Sequence, residues 1–116
     1  MSKVTEDIIT IAGSSGKEYD FEIYTIDTDF DETGGVYLFT HRYLVDGKYD
    51  HSIVYIGRTA DLSTIFQNHH KKDCIEKNQT NCICIHRADS EEKQIEIEND
   101  LLQLNSVAIC NDVAMQ

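Results

Sequence analysis

The run Val54-Tyr55-Ile56-Gly57-Arg58-Thr59-Ala60-Asp61-Leu62 constrains this chain more than any other stretch. Val54, Tyr55 and Ile56 favour a strand, because β-branched and aromatic side chains pack well on a pleated surface. Gly57 lets the backbone turn with no Cβ to accommodate. Thr59 or Asp61 can then cap a helix that Leu62 opens. Gly34-Gly35-Val36-Tyr37-Leu38-Phe39 comes earlier and reads as the partner strand. Two strands and a helix launched from the second of them point to a sheet with helices laid against it.

With 116 residues the chain can fill one core. Its apolar runs are only about four residues long, far short of the roughly 20 that cross a membrane as a helix. Met1-Ser2-Lys3-Val4-Thr5-Glu6-Asp7 has no apolar signal core, which points to a cytoplasmic chain. The four cysteines, Cys74, Cys82, Cys84 and Cys110, then read as reduced thiols. A zinc site drawn from Cys74, Cys82, Cys84, His69, His70 or His86 is the alternative, although the spacing follows no common zinc pattern.

Ten basic residues stand against 21 acidic ones, a net charge of −11 that opposes non-specific attraction to phosphate or anionic lipid. The acidity is uneven. Residues 1–34 carry two bases and nine acids, residues 35–86 six bases and five acids, and residues 87–102 two bases and six acids. The middle of the chain is therefore almost neutral, and the strand–turn–helix run lies there.

Along the chain, residues 8–12 and 19–26 read as strands, and 27–35 as an acidic, turn-rich break. Val36 to Phe39 and Ser52 to Ile56 form an antiparallel pair, joined through a long polar surface connection that contains Asp46-Gly47. Leu62, Ile65, Phe66 and His69 recur at helical spacing and predict a helix over 62–75. Cys82 to His86 is a third strand. Asp89 or Ser90 caps a last helix that runs to Leu104, and 107–116 is an irregular tail. The fold class expected is α+β: a small, mostly antiparallel three-stranded central sheet flanked by helices, with extra N-terminal strands. Residues 1–33 would be an extension packed on a domain spanning 34–116.

Three groups of residues could carry chemistry. Glu98 falls on, or at the edge of, the apolar stripe made by Ile95, Leu101 and Leu102. A carboxylate there is paired, reaches solvent or holds a cation. Glu96 and Asp100 read as ordinary solvated acids. Tyr37 and Tyr55 are either core tyrosines whose hydroxyls find a partner or two phenols on one face of a cleft. Asn68-His69-His70-Lys71-Lys72 is the one basic cluster, either a solvated helix end or a patch that meets phosphate.

Taken in order, Gly35-Val36-Tyr37, Tyr55-Ile56-Gly57 with Thr59, Asp61 and Leu62, a helix bearing Phe66 and His69, Glu98 within Ile97-Glu98-Asn99-Asp100-Leu101-Leu102, and Cys110-Asn111 resemble the GIY-YIG nuclease superfamily. The likeness covers roughly residues 34–112. It implies an endonuclease that hydrolyses phosphodiester bonds in nucleic acid, with DNA the expected partner. Glu98 would hold one Mg²⁺ or another divalent cation. Tyr37 would activate the water or accept its proton, Tyr55 and His69 would support that network, and Asn111 would orient the site. The chain departs from the family at Ile65, where the family places an arginine four residues before the histidine. Arg58, directly after Gly57, is the candidate replacement, and Arg42 a weaker one. The alternative is a catalytically inactive module of the same kind that uses its acidic surface to bind a protein partner.

Overall fold

The structure, a computed structural model, describes residues 3–26, 28–65, 71–104 and 110. The described residues form five strands, two helices and a 3-10 turn: β1 (Lys3–Ala12), β2 (Glu18–Thr25), β3 (Gly35–Val45), β4 (Lys48–Thr59), the 3-10 turn (Leu62–Thr64), α1 (Lys72–Lys77), β5 (Cys82–Arg87) and α2 (Glu91–Leu104). The strands form one curled antiparallel sheet in the order β1-β2-β5-β3-β4.

The expected three-stranded sheet is therefore wrong. β2 pairs with β5 from Glu22–Ile85 to Thr25–Cys82, so the N-terminal hairpin continues the sheet beyond β5 rather than adding strands outside it. The missed step is the pairing itself. The acidic break at 27–34 separates β2 from β3 in sequence, and the partner β2 finds lies some 60 residues away, beyond the reach of any local pattern.

β3 and β5 sit inside the sheet and are covered on both faces. Val36, Leu38, Ile56, Phe21, Ile23, Cys82 and Cys84 turn to one face, where Ile97 and Leu101 of α2 seal them. Tyr37, Phe39, Tyr55, Ile83 and Ile85 turn to the other, under Leu62, Ile65, Ile75 and Cys110. Strand alternation produces this split: neighbours in sequence point to opposite faces. Each face then needs its own cover, and one long helix on one side and short pieces on the other supply it.

The β3–β4 hairpin turns through Asp46 and Gly47 with φ of 51° and 80°. Those left-handed values are what a two-residue hairpin turn requires. The two strands stay paired up to Val45 and Lys48, so the expected long surface loop is instead a ribbon. A bulge between Phe39 and Thr40 in the register leaves Val54 unmatched on β4, which is how Val54 and Tyr55 both reach the same core.

Of the helix expected over 62–75, residues 66–70 lie outside the described residues, and the described parts are two separate short pieces. Leu62–Thr64 is a single 3-10 turn, and α1 begins only at Lys72. Local hydroxyls explain the short turn. Asp61 accepts from Ser63 N (3.0 Å) and Ser63 Oγ (2.6 Å), and Thr59 and Thr64 hydroxyls both donate to the Asp61 carbonyl. These bonds offer the backbone an alternative to continued α-helix. Asp61 is the cap, as one of the two expected candidates.

α2 begins where expected: Ser90 Oγ accepts from Lys93 N at 3.2 Å, and Glu91 and Glu92 complement the positive end of the helix. Two other expectations fail. Cys74 and Cys110 form a disulfide rather than remaining thiols, with Cα atoms 5.9 Å apart. Only Cys82 and Cys84 are free, and both are buried. Asp100 is no ordinary solvated acid: it accepts from Ser14 Oγ, Ser15 N, Ser15 Oγ and Tyr19 Oη, at 2.6 to 3.0 Å. It pins the β1–β2 turn to α2. Ser15 chiefly, then Tyr19, hold its carboxyl well below the usual range. Tyr19, partly desolvated and facing that charge, is pushed up to about 12. Among the described residues no helix is long and apolar enough to cross a membrane.

Candidate functional site

Gly57 is the residue around which the predicted site gathers. It pairs with Tyr37 across β3–β4. A Cβ on Gly57 would lie 2.7 Å from Tyr37 Cζ, 2.7 Å from Tyr37 Oη and 2.7 Å from Tyr55 Cε2. The absent side chain is thus the space that the two phenol rings occupy. Their centroids are 6.1 Å apart and tilted by 32°. Both tyrosines are buried in one core cluster on the same face of the sheet; of the two alternatives, this is the arrangement of core tyrosines. Burial first, then Tyr55 and Glu98, push the Tyr37 hydroxyl well above the normal tyrosine range, so it stays protonated at neutral pH.

β4 is the edge strand, and Gly57 and Arg58 turn opposite ways across it. Arg58 pairs with Val36 and points to the α2 side. There its Nε lies 3.5 Å from Glu98 Oε1 and its Nη1 3.6 Å from Glu91 Oε2. Glu98 is half-buried, its side chain 22% exposed, which settles its place at the edge of the apolar stripe. Desolvation raises its pKa and Arg58 opposes that rise. The Glu98 charge adds a smaller part to the rise at Tyr37, after burial and Tyr55.

Of the residues predicted from sequence, Tyr37 and Tyr55 meet on one face of the sheet and Arg58 and Glu98 on the other, α2 face. His69 and Asn111 lie outside the described residues, as do Phe66 and His70. Arg42 does not join the site. It sits out along β3, its guanidinium 4.0 Å from the centre of the Tyr49 ring. Ile65 is 6% exposed and packs in the tyrosine core with Leu62, Phe39 and Val54.

A residue that sequence reasoning missed is Gln94, one turn before Glu98. It is 3% exposed, and its Nε2 donates to the Ala88 carbonyl at 2.9 Å. A Cβ on Gly34 would collide with that same amide nitrogen. Gln94 thus holds the β5–α2 junction against the start of β3, where Ala88 N donates to the Gly34 carbonyl at 3.1 Å. Its Oε1 has no hydrogen-bond partner among the described residues. The available signal was its place on the Ile97–Leu101 face of the helix, where a polar side chain needs a partner.

The donor set is narrow. Among the described residues no group of three or more His, Cys, Asp or Glu side chains could hold a metal ion. With Cys74 in a disulfide its thiolate is not available to a zinc site. One half-buried carboxylate fits Mg²⁺ better than zinc, because Mg²⁺ keeps most of its waters and is commonly bound by one or two carboxylates plus substrate phosphate. The chain matches no protein-family model, no curated protein and no solved structure. The GIY-YIG likeness therefore rests on the residues named above.

Proposed function

We propose that the chain is a GIY-YIG-type phosphodiesterase that cuts nucleic acid at the β4 edge, with one divalent cation held by Glu98. The supporting observation is that consecutive residues of β4 carry the two pairs, Tyr37 and Tyr55 packed over Gly57 and Glu98 paired with Arg58, on the two faces of the strand.

Each residue has a chemical task that suits its surroundings. Tyr37 is neutral, so it orients water and passes a proton through its hydroxyl rather than acting as a resident phenolate. Tyr55 packs beside it and limits its motion. Glu98 would hold the cation through a half-buried carboxylate, where opposite charge is favoured, as its pairing with Arg58 shows. Arg58 pairs with Glu98, and its guanidinium would offer charge to a phosphate oxygen bound at the same edge. A bound divalent ion supplies polarisation of the phosphate and charge stabilisation of the leaving oxygen. Positioning and electrostatics of this kind carry most of phosphoryl-transfer catalysis. In a cytoplasmic setting Cys74 and Cys110 would be thiols, since reducing compartments keep such pairs open.

A second reading keeps the fold and drops the chemistry: a binding or regulatory module with an acidic surface. Ile65 favours it, because the position of the family arginine is filled by core packing. Plasmid nicking with Mg²⁺ or Mn²⁺ separates the two. Nicking that is lost in Glu98→Ala supports the nuclease. An inert wild-type chain under both ions supports the module.

A further inference from the structure

Helix α1 is six residues long, well under the roughly 12–15 that an isolated helix needs in water. It is therefore held by what it touches. Ile75 is buried in the tyrosine core. Thr80 Oγ1 donates to the Ile75 carbonyl at 2.8 Å, and Asn78 Nδ2 donates to the Cys74 carbonyl at 2.8 Å. The covalent tie is the disulfide from Cys74 to Cys110. Cys110 in turn meets the edge strand. Its N–H donates at 2.7 Å to the carbonyl of Val54, the residue that the bulge leaves out of the β3–β4 register. A continuous link thus runs from α1 through two sulfurs to β4.

That link lies over the candidate site. Ile75 and Cys110 belong to the cover of Tyr37 and Tyr55, which are 5% and 8% exposed. A charged phosphodiester does not enter an apolar core of this kind, so a nuclease built on Tyr37 needs a way to uncover it.

The two sulfurs are placed unequally. Cys110 is 3% exposed and Cys74 is partly exposed, so a thiolate arriving from solvent meets Cys74 first. Lys71 and Lys77 stand three residues to either side of Cys74, about one helical turn away, and positive charge there favours thiolates. Asp73 and Glu76, one and two residues away, lie off that face. Asn78 Nδ2 is 3.6 Å from Cys74 Sγ and 3.7 Å from Cys110 Sγ, within reach of whichever sulfur is released as an anion.

We propose that Cys74–Cys110 is a reversible clasp that keeps the tyrosine site closed while oxidised and lets it open when a dithiol reduces it. One thiolate of the dithiol attacks Cys74 Sγ, the sulfur–sulfur bond breaks, and Cys110 leaves as a thiolate. The second thiolate of the dithiol attacks its own partner sulfur in the mixed disulfide, releases Cys74 and closes the reductant's disulfide. Two electrons pass to the chain, and its two thiolates take up the two protons that the dithiol gave up. The inference rests on the phosphodiesterase reading and adds the regulation of that site.

The test uses the full chain, air-oxidised or treated with dithiothreitol without denaturant. Thiol counting after denaturation finds only Cys82 and Cys84 in the oxidised form and all four cysteines in the reduced form. Reduction speeds amide exchange at Cys110 and Ile75 by about tenfold or more, while Leu38 and Cys84 in the β3–β5 ladder stay protected. Plasmid nicking with Mg²⁺ rises with the open fraction, by about tenfold or more. Cys110→Ser nicks at the higher rate with or without dithiothreitol, and oxidised dithiothreitol returns the reduced wild-type chain to slow exchange and slow nicking. Loss of protection throughout the sheet on reduction makes the disulfide a structural staple and overturns the clasp. So do four free thiols before reduction, or a change that oxidised dithiothreitol does not reverse. Equal nicking by the two forms of a chain that cleaves overturns the clasp and leaves the phosphodiesterase reading standing. Reversible faster exchange at Cys110 and Ile75, with no nicking by either form, upholds the opening and removes the phosphodiesterase reading.

Discussion

Gly57→Ala is the smallest change that reaches the candidate site. The new methyl would stand 2.7 Å from two atoms of Tyr37 and one of Tyr55, where carbon–carbon contacts want 3.5 Å or more. Both rings are buried, at 5% and 8% exposure, and they are braced by Phe39, whose ring centre is 5.2 Å from Tyr37 and 6.2 Å from Tyr55. Neither can swing away as a flexible side chain would. The backbone adds no penalty of its own, because Gly57 is not in the left-handed region. Overpacking of this kind costs about 1–3 kcal/mol. Replacing glycine in a strand returns roughly 0.5–1 kcal/mol through lower unfolded-state entropy. The net expectation is a loss of about 1–2 kcal/mol, or some 4–8 °C in Tm at about 4 °C per kcal/mol for a domain of this size. Urea and thermal unfolding measure it. The chain lacks tryptophan, so near-ultraviolet circular dichroism reports its tyrosines and phenylalanines directly and should change with the ring positions. Unchanged stability together with an unchanged aromatic spectrum would refute the reasoning, because it would mean the rings do not lie over Gly57.

Four further outcomes follow from the same structure. Asp100→Asn lowers stability at neutral pH by freeing the β1–β2 turn; since the folded pKa is depressed below 3.8, the native advantage holds above that value and disappears as pH falls through the folded pKa, so the two unfolding curves converge in acid. Glu98→Gln leaves the fold intact and slightly more stable at neutral pH; its raised folded pKa favours the protonated form, a contribution present below 4.5 and lost as pH rises through the folded value, so the gain is absent in acid unfolding. Reduction of Cys74–Cys110, or Cys110→Ser, costs about 4 kcal/mol on the loop-closure model for a separation of 36 residues, read as a shift of the urea midpoint with and without dithiothreitol. Ile65→Arg, the substitution that would restore the family residue, loses about 2 kcal/mol or more because it buries a cation in the tyrosine core, and thermal unfolding shows it as a lower Tm.

The parts of the fold legible in the sequence were those written in local chemistry. Asp46-Gly47 announced the hairpin because both positions need positive φ, and Ser90 followed by two glutamates announced α2 because helix starts want a cap and negative charge. The five-stranded order was not legible. β2 meets β5 across some 60 residues, and only tertiary packing chooses that partner. The apolar spacing of Leu62, Ile65 and Phe66 suggested one helix, yet the hydroxyls at 59 and 64 bind the Asp61 carbonyl, that at 63 binds the Asp61 carboxylate, and together they favour a 3-10 turn at Leu62–Thr64. Asp100 was misread because nothing near it in sequence supplies its partners, which come from Ser14, Ser15 and Tyr19 on the far hairpin. At the site the tyrosines, Arg58 and Glu98 could be named from spacing and likeness. The reason Gly57 must be glycine could not, since it depends on which rings cross above it.

Manganese broadening of backbone amide signals in the ¹⁵N-labelled chain tests most directly whether these residues form one cation site. Paramagnetic Mn²⁺ at Glu98 should broaden Gly57, Arg58 and Glu98 together at low occupancy, and Glu98→Ala should abolish the effect while the spectrum of the folded chain persists. Broadening centred elsewhere, or unchanged in Glu98→Ala, would contradict a divalent-cation site at the β4 edge.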